Sequence, residues 1–215
     1  MHDDFLSNES QRKIWMGKFG DSYVDRNYTI EQVNELFDNL IGISIEELFY
    51  NFFNDLDRNY KILEIGCNVG LNLSILKKLG FKNLFGLEPN NKAIMIAKER
   101  HPEITFFHST IEEFQTTEKF DLVFTSDVLI HINPKSLQAI IKKIYDLSTK
   151  LIFGFEYFSN DLTSLDYRGH SNIMWKQNFP KLYCETIPDL ILLKKKIFPH
   201  KQENLEDIAF LLKKP

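Results

Sequence analysis

From Tyr60 onward the chain alternates short apolar runs with amphipathic stretches, and this alternation restricts the available folds more than any other feature. Ile62-Leu63-Glu64-Ile65 predicts a buried strand, and Leu71 to Leu79 a helix stopped by Gly80. Leu84-Phe85-Gly86-Leu87 predicts the next strand, and Lys92 to Arg100 a helix that ends ahead of Pro102. Ile104 to Phe107, Phe120 to Thr125 and Leu151 to Phe155 read as further strands. Between the last two, Asn133-Pro134 opens a helix whose buried face carries Leu137, Ile140, Ile141 and Ile144. After an irregular stretch, Leu190 to Phe198 and Ile208 to Leu212 read as closing strands. Strands alternating with helices build a mostly parallel sheet covered on both faces, so the expected class is a Rossmann-like, doubly wound α/β fold.

Two helices are expected ahead of this core. Thr29-Ile30-Glu31-Gln32 forms a capping-box pattern, followed by Val33, Leu36, Phe37, Leu40 and Ile41 on one face. Ser44-Ile45-Glu46-Glu47 repeats the signal before Leu48, Phe49, Phe52 and Phe53. The reading is a helical N-terminal extension or cap over residues 1–58 and a main domain over 59–215, one compact unit in all.

Composition narrows the function classes. Hydrophobic residues make up 43% and charged residues 26%, as in an ordinary globular domain, and a net charge of -4 supplies no basic field for nucleic acid. Lys194, Lys195 and Lys196 form a short local cluster, read as a solvated strand or loop face. Two cysteines far apart, Cys67 and Cys184, make neither a disulfide framework nor a zinc spacing and fit a reducing compartment. The start, Met1-His2-Asp3-Asp4, is acidic, and no run approaches the ~18 apolar residues of a spanning helix. A cytoplasmic monomer or homodimer with no membrane or nucleic-acid partner is expected. The six histidines show no paired spacing, so no metal site is expected, and no Gly-x-Ser-x-Gly elbow suggests a hydrolase.

On a doubly wound sheet, ligands sit at the carboxyl ends of the strands where the strand order reverses. Here the first strand ends in Glu64-Ile65-Gly66-Cys67-Asn68-Val69-Gly70 and opens a helix. The second ends in Leu87-Glu88-Pro89, about 18 residues beyond Gly70. A carboxylate there can accept hydrogen bonds from both ribose hydroxyls of an adenosine group. A dinucleotide loop needs three spaced glycines, but Asn68 and Leu71 stand where the second and third would be, so a pyrophosphate loses its close backbone approach. That, and the lack of a Tyr-x-x-x-Lys pair, disfavours an NAD-dependent reductase.

The remaining pattern, acid-x-Gly-x-x-x-Gly, resembles motif I of the class I methyltransferases, and this resemblance implies S-adenosylmethionine as cofactor and S-adenosylhomocysteine as product. By it, Glu64, Gly66, Cys67, Asn68, Gly70 and Asn72 hold the amino-acid end, Glu88 and Pro89 the ribose, and Ser109, Thr110 and Ile111 the adenine. Thr125, Ser126 and Asp127 fall at the mouth of the pocket, and Tyr23 and Arg26 are candidates for covering the carboxylate end. Ser109, where many members carry an acid, and Asn68, where most carry glycine, depart from the broad pattern.

Several segments further resemble the pseudaminic acid biosynthesis-associated methylases. They are Trp15 through Asn27, Glu64 through Asn72, Val128 through Pro134, and Tyr167-Arg168-Gly169-His170-Ser171. The resemblance implies a small-molecule acceptor, a sugar or sugar-nucleotide of a bacterial surface-glycan pathway. Alternatives are another small acidic or phosphoryl metabolite, or a subunit that binds the cofactor without turnover. A hydroxyl acceptor must lose a proton, which makes His131 and His170 the candidate bases, with a structural histidine bonded to backbone as the alternative for each. Glu156, Tyr157, Tyr167 and Arg168 are candidates for the acceptor site; Arg168 would suit a carboxylate or phosphate.

Overall fold

A computed structural model of the chain describes residues 8–26, 28–202 and 204–215. The acidic lead Met1-His2-Asp3-Asp4 and Asn27 of the first resemblance segment lie outside the described residues.

Among the described residues, four helices rather than the expected two precede the sheet. α1 (Asn8–Met16) and α2 (Lys18–Val24) come before α3 (Ile30–Ile41) and α4 (Ile45–Phe53). The capping box at α3 is complete: the Thr29 hydroxyl accepts from the Gln32 amide while the Gln32 side chain accepts from the Thr29 amide. At α4 the Ser44 hydroxyl accepts from the Glu47 amide.

Next come β1 (Lys61–Ile65), α5 (Leu71–Lys78), β2 (Asn83–Glu88), α6 (Asn91–Arg100), β3 (Thr105–His108) and β4 (Phe120–Ser126). The Asn133 side chain caps a short 3-10 turn, Pro134–Ser136, which runs into α7 (Leu137–Leu147). β5 (Ser148–Tyr157) completes the parallel set. The irregular stretch holds a two-stranded ribbon of β6 (Thr163–Tyr167) and β7 (His170–Lys176), then α8 (Phe179–Thr186). β8 (Ile191–Pro199) and β9 (Glu206–Lys213) close the chain.

The main sheet has seven strands in the order β3-β2-β1-β4-β5-β9-β8. The first five are parallel, with Glu64 beside Gly86 and Phe124, while β9 runs antiparallel to β5 and β8 antiparallel to β9. The order reverses at β1, whose neighbours are β2 and β4, so the crevice that binds ligands in open sheets opens beyond Ile65. Because β9 is antiparallel, its first residues return to that same edge, and Asp207 lies across from Tyr157.

Helices cover both faces. α4 buries Ile45, Leu48, Phe49, Phe52 and Phe53 against one of them, each such side chain stabilising the fold by roughly 1.5–3 kcal/mol. The Phe53 ring meets that of Phe153 edge-on at 4.8 Å in this layer. α7 and α8 cover the opposite face through Ile140, Ile141, Ile144, Phe179 and Tyr183. Lys194, Lys195 and Lys196 lie exposed on the edge strand β8.

Candidate active site

Two tight turns shape the floor of the crevice. Gly66 takes φ +71° directly after β1, and a Cβ there would stand 2.5 Å from Val128 Cγ2. Gly70, at φ +80°, precedes α5 and packs close to Phe106 and His101 on the far side of the loop. Asn68 between them adopts φ +48°, a left-handed conformation that asparagine tolerates better than most residues.

Two glutamates flank this loop. Glu64 is buried; its Oε1 accepts from Asn72 Nδ2 at 2.7 Å, and its Oε2 has no hydrogen-bond partner. Burial raises its pKa to about 8. Glu88, at the end of β2, accepts from the Asn68 amide at 2.9 Å and the Asn90 amide at 2.8 Å, which braces it across the glycine loop. Burial again dominates and lifts its pKa to about 7 against the pull of the two amides. Two desolvated carboxylates in a crevice mark a place that favours hydrogen-bond donors or a positive group.

The crevice widens into a cavity of about 420 Å³, within the range of small-molecule sites. Glu64, Gly66, Cys67, Asn68 and Asn72 line one end, with Glu88 and Pro89 beside them. Ser109, Thr110 and Ile111 form the next part of that wall; Glu112, which the sequence reading passed over, joins them. Cys67 is buried, and burial pushes its thiol up. Gly70 does not line the cavity and acts by shaping the loop.

Helices α1 and α2 roof this end. Asn90 Nδ2 donates to the Trp15 carbonyl at 3.1 Å and to Asp21 Oδ1 at 3.0 Å, which pins both helices beside Glu88. Tyr23 and Arg26 line the cavity, with the Arg26 guanidinium 4.3 Å above the Tyr23 ring. Burial, aided by the Asp127 carboxylate, raises the Tyr23 phenol well above its ordinary range.

Ser126 and Asp127 line the middle of the cavity, while Thr125 is buried and outside its lining. Asp127 takes φ +54°, its amide donates to the Phe155 carbonyl at 2.8 Å, and its Oδ1 has no hydrogen-bond partner. Burial first, then the negative fields of Asp207 and Glu156, holds its carboxyl well above the usual range.

His131 sits on the cavity wall between Trp15, with ring centroids 4.4 Å apart, and Tyr167, at 5.5 Å. Nδ1 lies 3.2 Å from the Ile173 carbonyl, which can only accept, so in the neutral ring Nδ1 carries the proton and Nε2 is the basic nitrogen. Burial lowers its pKa to about 4, so the ring is neutral at pH 7. Its own carbonyl accepts from Gln11 Nε2 at 2.5 Å.

The other acceptor candidates separate. Tyr157 and Tyr167 line the cavity. Glu156 does not: it is buried on the α7–α8 side, where Oε2 accepts from the Ile130 amide at 3.3 Å and closes the turn after β4. Arg168 and His170 stand exposed at the tip of the β6–β7 ribbon. Arg168 (φ +51°) and Gly169 (φ +79°) make its two-residue turn, and both signs match the twist that hairpins prefer. The Arg168 guanidinium lies 5.9 Å from the Tyr23 ring and the His170 ring 5.4 Å from that of Phe19, which keeps both near the rim but outside the lining. Asp207, absent from the sequence reading, is buried and lines the far end. Among the described residues, no group of three His, Cys, Asp or Glu side chains is placed to hold a metal ion, and no helix is long and apolar enough to cross a membrane.

Residues 62–150 match the family model of a methyltransferase domain. The chain is 33% identical over 76 residues to the ubiquinone biosynthesis O-methyltransferase of Bradyrhizobium diazoefficiens, a match covering 34% of this chain and 30% of that protein. It is 32% identical over 91 residues to the same enzyme of Rickettsia felis, covering 41% and 37%. These matches span about a third of the length of the relatives. Among solved structures, the 1,6-didemethyltoxoflavin-N1-methyltransferase of Burkholderia thailandensis superposes with a TM-score of 0.74 at 12% identity, over 100% of this chain and 93% of that one; it holds S-adenosylhomocysteine. The magnesium protoporphyrin IX methyltransferase of Synechocystis, with bound S-adenosylmethionine, gives 0.69 at 14%, over 100% of both chains. The fold is that of the class I methyltransferases, whose cofactor is S-adenosylmethionine.

Proposed function

We propose that this chain is an S-adenosylmethionine-dependent methyltransferase acting on a small-molecule acceptor. The observation that carries this reading is the pair of buried glutamates on either side of the glycine loop: Glu64 with an unpartnered Oε2, and Glu88 held by two backbone amides. The residues present fit the cofactor. Glu64 supplies an acceptor atom for its ammonium group, Glu88 retains lone pairs for ribose hydroxyls, and Ser109 to Ile111 with Glu112 give the adenine a partly apolar bed.

When bound, the cofactor supplies a methyl group already activated by its sulfonium. What remains for the chain is to position and to deprotonate. The α1–α2 roof and the β6–β7 ribbon exclude water around the wall that carries His131. His131 is neutral at physiological pH, and with Nδ1–H committed to the Ile173 carbonyl, Nε2 is the atom that takes a proton from an acceptor hydroxyl. His170, exposed at the ribbon tip, is the weaker candidate on position alone. The finer reading, a sugar or sugar-nucleotide acceptor from a surface-glycan pathway in the cytoplasm, rests on the sequence segments around Trp15–Arg26 and Tyr167–Ser171.

The test is calorimetric titration with S-adenosylmethionine, S-adenosylhomocysteine and NAD, followed by methyl-transfer assays on nucleotide-activated and nonulosonic sugars. Glu88→Ala is expected to weaken binding of the first two by about 1–3 kcal/mol through lost charged hydrogen bonds. Unchanged affinity in that variant would reject the ribose assignment, and binding of NAD alone would reject the cofactor.

A further inference from the structure

Beyond the two glutamates, the cavity lining includes an apolar and aromatic group: Val33, Phe37 and Leu40 from α3 with Phe155 and Tyr157 from β5. The Phe37 and Phe155 rings pack on each other, centroids 5.5 Å apart at a 34° tilt. Such a lining takes a hydrocarbon, aromatic or sugar face.

One group in it is out of keeping with those walls. Asp207 is 1% exposed and lines the cavity. Its Oδ2 pairs with His200 Nε2 at 2.9 Å, while Oδ1 has no hydrogen-bond partner. The His200 ring packs edge-on against Tyr157 at 5.6 Å, so the carboxylate is held in one orientation from behind. Asp127, also with an unpartnered oxygen, lies within electrostatic reach of Asp207. Arg12 and Arg26 are the arginines of the described lining; Arg12 pairs with Glu113 at 3.2 Å and the Arg26 guanidinium is stacked on the Tyr23 ring. A buried carboxylate oxygen without a donor is costly, and a ligand ammonium group is the chemistry that satisfies it.

We propose that the acceptor carries a cationic amino group, which docks on Asp207 while the body of the molecule lies against the Phe37–Phe155 pair and Tyr157. The inference rests on the methyltransferase reading. Here the amino group is a recognition handle, because a protonated amine held by a carboxylate has no lone pair to offer the methyl group. A free carboxylate or phosphate at this end would meet the unpartnered Asp207 oxygen and find no donor in it. If the acceptor is a sugar, it is therefore an amino sugar at the end that meets Asp207.

The experiment is a binding panel on the S-adenosylhomocysteine-saturated protein, followed by calorimetry or ligand-observed NMR. One series is 2-phenylethylamine, 2-phenylethanol and 3-phenylpropionate; the other is glucosamine, glucose and glucuronate. In at least one series the amine is expected to bind roughly tenfold to a hundredfold more tightly than its neutral and acidic counterparts. Asp207→Asn, which keeps an acceptor for His200, is expected to abolish that preference while leaving S-adenosylhomocysteine affinity unchanged. Should that variant fail to fold, Leu36→Lys, on the 48% exposed outer side of α3, places a like charge at this lining and is expected to weaken the amine selectively. Equal binding of amine, alcohol and acid in both series, or tighter binding of the acids, would overturn the inference and leave the methyltransferase reading standing. Failure of S-adenosylhomocysteine to bind at all would overturn both.

Discussion

The two ends of the cavity are built by different means. At the glutamate end, neighbouring loops do everything: Gly66 and Asn68 turn the backbone, Asn72 reaches back to Glu64, and the Asn68 and Asn90 amides brace Glu88. At the acceptor end, the wall is assembled from α3, the turn after β4, the β6–β7 ribbon and the first residues of β9, segments far apart in the chain. The first end is a local design that a fold can carry unchanged between enzymes, and the second is a meeting of parts that can be altered one at a time. Function on a shared fold is expected to diverge at the second.

The largest expected effect lies where the two ends meet. His131→Ala is expected to lower kcat by about 10²–10⁴-fold while S-adenosylhomocysteine affinity is largely kept. Steady-state kinetics with calorimetry checks this, and an unchanged kcat would move the proton acceptor away from His131.

A pair of glycine variants compares turn against turn. Gly66→Ala meets Val128 at 2.5 Å as well as an unfavourable φ, whereas Gly169→Ala meets an unfavourable φ with nothing within 4 Å. Loop strain plus overpacking predicts a loss of about 2–4 kcal/mol for the first. Left-handed strain alone predicts about 1–2 kcal/mol for the second. Denaturant titration of both variants measures the difference; equal losses would show that Val128 yields and that the floor of the site is soft.

The smallest effect is a pair of opposed pH responses. Glu64 has its pKa raised to about 8 from 4.5, so its contribution to stability is full below the unfolded value and is lost as pH rises through about 8. His131 is lowered to about 4 from 6.5, so its contribution is full above the unfolded value and is lost as pH falls toward 4. Melting temperatures of the ligand-free protein from pH 5 to 8.5 are expected to fall at both ends. Glu64→Gln should lessen the alkaline fall, leaving the share due to Glu88, whose pKa is about 7, and His131→Asn should lessen the acid fall; a Glu64→Gln curve as steep in alkali as the parent's would place the titrating group elsewhere.

What the sequence made legible follows the same division. Strands β1 to β5, the acid-glycine loop and the second acid at the end of β2 were readable because their signals are local: continuous apolar runs, a glycine where φ is positive, an acid at a strand end. α1 and α2 were not, since Trp15-Met16-Gly17-Lys18-Phe19-Gly20 has no helical apolar stripe and its helices are held by Asn90 and the cavity roof. The β6–β7 ribbon was hidden because arginine seldom marks the first position of a two-residue turn. Glu156, a candidate for the acceptor site or for packing or capping, is turned by strand alternation to the opposite face from Phe155 and Tyr157. Asp207 gave no signal, because one acid at the start of an apolar strand has no periodicity. Its role arises only when β9 returns beside β5.

The placement of Trp15 has an optical consequence. The chain has two tryptophans, and they sit in contrasting surroundings: Trp175 is 1% exposed in β7, while Trp15 lines the cavity in contact with His131. Any molecule entering the cavity changes the polarity around one indole and leaves the other as a constant background. The protein therefore carries its own fluorescent gauge of occupancy, and emission from Trp15 follows filling of the cavity without a label.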